Sequence, residues 1–81
     1  MAIDRWYHIA EKARWRCFAD MRRTFNGTDQ FQKGDKIYFI FNVGGNNIRV
    51  IAGFNYQTQT MFIKAVLTHS DYSKETWKNT L

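Results

Sequence analysis

The chain contains no proline and a single cysteine, Cys17, among its 81 residues. One cysteine excludes an internal disulfide and any cysteine-based metal cluster, so the simplest compartment is a reducing cytosol. Cys17 itself is expected as a small buried apolar group rather than a nucleophile. No stretch approaches the roughly 20 apolar residues that a membrane helix needs. The opening Met-Ala-Ile-Asp lacks the apolar core of a signal peptide. Acidic residues are scarce, 7 Asp and Glu against 12 Lys and Arg, which leaves a net charge of +5. That excess biases a small domain towards polyanions, nucleic acid first. What is plentiful is aromatic: Phe, Trp and Tyr make up 17% of the chain and must fill much of a modest core.

There is no repeat, linker or low-complexity segment, so residues 1–81 are read as one domain. Residues 4–15 predict a helix, with Asp4 as N-cap and Trp6, Ile9, Ala10 and Ala13 as its apolar stripe. A second short helix is expected within 16–25, from the spacing of Phe18, Met21 and Phe25. Residues 26–35, with two glycines and two aspartates among polar side chains, read as a loop. From residue 36 the pattern becomes that of strands. "KIYFIFNV" is apolar on both faces and so should be covered on both sides. "GGNN" at 44–47 supplies a tight turn, followed by strands near 48–54 and 60–67. The last residues, "SDYSKETWKNTL", suggest a final helical turn. The fold class is therefore α+β, with N-terminal helices packed on one face of a three-stranded antiparallel meander.

Strict alternation assigns Ile48, Val50, Ala52 and Phe54 to the helix-covered face, together with Met61, Ile63, Ala65 and Leu67. Arg49 and Lys64 then emerge together on the opposite, open face. Neighbouring cations on strands that carry no carboxylate repel each other, and an anion between them would relieve the repulsion. The bland reading is two solvated charges that keep an open sheet soluble.

"FNVGGNNIRV" followed by "IKAVLTHSDY", together with "RWYHIAEKARW" and "FADMRRTF", resembles the HigB family of toxins within the RelE-like superfamily of mRNA interferases. The resemblance implies a RelE-like fold, endonucleolytic cleavage of mRNA on the translating ribosome, and inhibition by a HigA-type helix-turn-helix antitoxin in the cytoplasm. Family members usually begin with a further strand and helix, so on the resemblance the chain either starts late or is truncated at its N-terminus. Strand 36–43 would then expose an apolar edge or patch and favour self-association.

RNA carries its own nucleophile, the 2′-hydroxyl, so such an enzyme needs no metal or other cofactor. It needs alignment, a base, an acid and cations for the charge on phosphorus. On the resemblance, the candidate catalytic residues are Arg49, Lys64, His69 and Tyr72. Arg49 suits non-bridging phosphate oxygens, and Lys64 is a second cation and candidate base. His69, from the residue type that moves protons near neutral pH, is a candidate acid or base. Tyr72 could stack on a base or donate a hydrogen bond. Arg22, Arg23, Lys36, Lys74 and Lys78 are unranked candidates for RNA-backbone or ribosome contacts, or are merely solubilising. His8 is read as part of the first helix alone, and hairpin chemistry accounts for Asn42 and Asn46. The alternatives are a non-catalytic module that binds RNA or antitoxin, or an inactive remnant of a truncated toxin.

Overall fold

A computed structural model describes residues 2–45 and 47–81. Two helices, α1 (Ala2–Lys12) and α2 (Phe18–Thr24), precede four strands. The strands are β1 (Asp29–Lys33), β2 (Lys36–Val43), β3 (Ile48–Asn55) and β4 (Thr60–Thr68). A short helix α3 (His69–Ser73) and a 3-10 segment (Thr76–Thr80) end the chain. All neighbouring strands are antiparallel, in the order β1-β2-β3-β4.

The sheet therefore has one strand more than the meander expected from the sequence. Residues 29–33, read as loop, form β1 and pair with β2 from Asp29↔Ile40 to Lys33↔Lys36. Only Phe31 in "DQFQK" is apolar, and the other four residues are exposed. Such a strand is held by its partner's ladder rather than by its own hydrophobicity, which leaves little signal in composition. Gly34, at φ +63°, turns the chain between them.

Other expectations need smaller corrections. The first helix stops at Lys12, and Asp4 lies in its first turn rather than capping it. Trp6 is buried and Ile3, Ala10 and Ala13 pack beside it, whereas Ile9 is exposed. Trp15, beyond the helix, is held by Gln59 from the β3–β4 turn, which accepts from its N–H at 2.9 Å and donates to its carbonyl. Cys17 is exposed, not buried. Gly44 and Gly45 do adopt the positive φ of the expected turn, 64° and 68°. Asn46 lies outside the described residues.

The core divides between the two faces of the sheet. On one face, Trp6, Trp15 and Met21 pack against Phe39, Phe41, Val43, Val50 and Ala52. On the other, Trp77 covers Tyr38, Ile40 and Ile51, with Phe31, Ala65, Leu67, Tyr72 and Leu81 around them. The second face is thus not open: the C-terminal segment lies across it. Lys33 Nζ fixes that segment to β1 by donating to the carbonyls of Lys78 at 2.6 Å and Leu81 at 3.2 Å.

Strand β2 sits between β1 and β3 with Tyr38–Phe41 and Val43 buried, so it carries no exposed edge. On β2 the side chain of Ile37 is exposed, and further exposed apolar side chains lie on the outer strand β4, at Phe62, Ile63 and Val66. Strict alternation also fails on β4. Ile51 pairs with Ala65 but Ala52 pairs with Ile63, so Lys64 is an extra, bulged residue. The bulge reverses the faces beyond it, which moves Ala65 and Leu67 from the helix side to the Trp77 side.

Candidate functional site

Arg49 is the one buried charged side chain among the described residues, 8% exposed, on a central strand beneath the C-terminal segment. The end of β4 delivers the residues around it. Thr68 caps α3 by accepting from the Asp71 backbone N–H at 3.2 Å, and the His69 N–H donates to the Asn47 carbonyl at 3.1 Å. These two bonds fix the corner at which His69 and Tyr72 meet Arg49. The Arg49 guanidinium carbon lies 5.3 Å from the centre of the Tyr72 ring, and Arg49 Nη2 lies 3.5 Å from His69 Nδ1. That last contact is at the long end of hydrogen bonding. Arginine only donates, so Nδ1 accepts and the imidazole hydrogen is assigned to Nε2.

Trp77, absent from the sequence-derived candidates, organises this corner. Its ring stacks on Tyr72 with centroids 5.3 Å apart and an interplanar angle of 14°. Its indole N–H donates to the Tyr72 carbonyl at 2.9 Å, and its other neighbour is Phe31, edge-on at 5.5 Å. Lys78 Nζ lies over both Phe31 and Trp77. An aromatic row thus runs from the β1 edge to Arg49. Trp77 and the Arg49 guanidinium thus both lie against the Tyr72 ring. The sequence signal was available, since a tryptophan five residues after a tyrosine can fold back on it. Nothing local said which sheet face it would cover.

The remaining candidates separate. Lys64 lies on the same side of the sheet as Arg49 but lines a different hollow, with Lys36, Ile37, Tyr38, Gly53 and Phe62. Lys74 is on the segment that carries His69 and lies 3.8 Å from Asp71. Arg22 and Arg23 sit on α2, across the sheet from Arg49. Arg23 pairs with Asp20, and Arg22 lies over the Phe18 ring at 5.9 Å. The Arg16 backbone N–H, aided by the Arg23 guanidinium, holds the Asp20 carboxyl below its ordinary value. On the same side, burial pushes the Tyr56 phenol up. His8 lies 3.5 Å from Glu11 on the exposed side of α1.

The family model for the HigB toxin, described as the RelE-like toxic component of a toxin-antitoxin system, matches residues 1–75. An mRNA interferase HigB from Escherichia coli O6:H1 is 32% identical over 76 residues, covering 94% of this chain and 73% of that protein. An mRNA interferase toxin HigB from Escherichia coli strain K12 is 38% identical over 52 residues, 64% of this chain and 49% of that protein. The chain thus spans about three quarters of the first relative and about half of the second. A match across nearly the whole chain, on the helix–sheet–helix order just described, places it: the chain belongs to the HigB family of RelE-like toxins.

Proposed function

We propose that this chain is a metal-independent endoribonuclease that cuts mRNA on the translating ribosome in the cytoplasm and is silenced by a HigA-type helix-turn-helix antitoxin. The observation that carries the reading is the Arg49 guanidinium, held against Tyr72 and 3.5 Å from His69 Nδ1. A fixed guanidinium binds the non-bridging oxygens of a phosphodiester in advance of reaction, so no reorganisation is needed as charge builds on phosphorus. The substrate's own 2′-hydroxyl gives up its proton to water and attacks that phosphorus in line, while the P–O5′ bond breaks and the 5′-oxygen takes up a proton. Products are a 2′,3′-cyclic phosphate and a 5′-hydroxyl.

His69 is the proton-transfer residue, its ring placed by the 3.5 Å contact of Nδ1 with Arg49. A neutral imidazole whose Nδ1 accepts from Arg49 has no acidic proton to give, so protonation of the departing 5′-oxygen uses the imidazolium form, in which both ring nitrogens carry hydrogen and the bond to Arg49 is given up. Lys74, beside His69 on the exposed surface, and Lys36 and Lys64 further along the sheet supply backbone contacts. Arg22 and Arg23, on the far side, belong to contacts with the ribosome.

The test is cleavage of mRNA in a translating extract, with the 5′ ends of the fragments mapped. Arg49→Ala removes a charge that acts on the transition state and should slow cleavage about a hundredfold. His69→Ala should cost about 10²-fold if it moves a proton, and a chelator should change nothing. Full activity in both variants, or loss on chelation, would leave a module that binds RNA without cutting it.

A further inference from the structure

The hollow that holds Lys36 and Lys64 borders the second core through Tyr38 and has no part in the proton transfers at Arg49. It is a groove of ≈ 400 Å³ lined by Lys36, Ile37, Tyr38, Gly53, Phe62 and Lys64, with no carboxylate among them. Gly53 forms its floor. The backbone there does not require glycine: φ is not positive, and an added Cβ would meet nothing within 4 Å. Glycine inside a strand weakens it, and it commonly marks a place where something approaches the backbone closely. Here the missing side chain leaves a flat space over the sheet. Phe62, 51% exposed, forms the wall, and it pairs with Gly53 across the strands.

The chemistry of the groove selects its occupant. Gly53 lies on the inner strand β3, so the groove offers no free backbone edge at its floor. What remains is an aromatic face, an open floor and two ammonium groups. A flat ring next to phosphates satisfies all three. Arg49 and Gly53 lie four residues apart on β3, about 13 Å along the strand, a span that a few nucleotides of extended single strand can bridge.

We propose that the Gly53–Phe62 groove is a stacking site for a base of single-stranded RNA, one flanking the phosphodiester at Arg49, with Lys36 and Lys64 holding adjacent phosphates. This rests on the RNA-cleaving reading for its substrate but locates recognition away from the cut. Stacking tolerates any base, because every base has a π face, so the site adds affinity rather than sequence choice. A partner protein with an acidic segment is the competing occupant.

The experiment measures fluorescence anisotropy of a fluorescein-labelled, uniformly 2′-O-methylated single-stranded RNA, which lacks the attacking hydroxyl and cannot be cut. Phe62→Ala should weaken binding about tenfold, and Phe62→Tyr should restore it. Gly53→Val, which fills the floor, should weaken it to a similar degree, whereas Gly53→Ala should melt no lower than wild type. Lys36→Ala and Lys64→Ala should each reduce the salt dependence by about 0.7 in the log–log slope. Wild-type affinity in both Phe62→Ala and Gly53→Val, with melting curves showing both folded, would overturn the proposal. So would unchanged RNA affinity combined with lost binding of the antitoxin. RNA binding that depends on Phe62 in a chain that cleaves nothing would support the site and overturn only the enzymatic reading.

Discussion

Replacing Trp77 by alanine tests whether the C-terminal segment is what holds Arg49 in place. The indole is 6% exposed, stacks on Tyr72, meets Phe31 edge-on and donates to the Tyr72 carbonyl. Each aromatic pair is worth about 0.5–1.5 kcal/mol beyond its burial, and the hydrogen bond about 1 kcal/mol. Truncating a buried Trp to Ala costs about 3–5 kcal/mol in all. A domain of this size has a total stability of about 4–12 kcal/mol, so the variant should be severely weakened. Urea denaturation followed by circular dichroism measures the loss. A double-mutant cycle of Trp77→Ala with Tyr72→Leu should give a coupling of about 1 kcal/mol. At a temperature where the variant is still folded, cleavage should also fall, because Tyr72 and Arg49 lose their support. A loss of stability below about 1 kcal/mol, with activity retained, would refute the reasoning: the segment would then not be packed on the sheet.

Two further perturbations act elsewhere in the fold. Asp20 has its folded pKa lowered by the Arg16 N–H and Arg23, so its contribution is full well above the ordinary value of 3.8 and is lost as pH falls through the folded value. Asp20→Asn should therefore be less stable than wild type near neutrality and converge with it in acid; parallel melting curves at every pH would contradict this. Gly44→Ala should cost about 1–2 kcal/mol, since φ is +64° and the new Cβ would lie 3.2 Å from that of Ala2. Denaturant midpoints would check it, with the unstrained Gly53→Ala as control.

Much of this architecture was written locally. A run apolar on both faces marked β2, period-two patterns marked β3 and β4, the glycines of the 44–47 turn set the hairpin, and the spacing of Trp6, Ala10 and Ala13 gave the helix. Arg49, His69 and Tyr72 were legible as a group through the family resemblance carried by "GGNNIR" and "THSDY", and the structure brings them together. Their surroundings were less so, since the stacking of Trp77 on Tyr72 depends on a sheet face that no local pattern marks. Strand β1 was invisible because an edge strand borrows its stability from the neighbour's hydrogen bonds, and its polar composition is that of a loop. The bulge at Lys64 was equally hidden: alternation along one strand cannot register an extra residue opposite another, and that one residue exchanged the faces of Ala65 and Leu67. It also fell to tertiary contacts to seat Lys64 with Lys36 rather than beside Arg49, and to cover the second face with Trp77. Sequence determines what a segment buries and where it turns, because those depend on near neighbours. Which face a distant tryptophan covers, and which cations share a groove, depends on pairings between residues far apart in the chain.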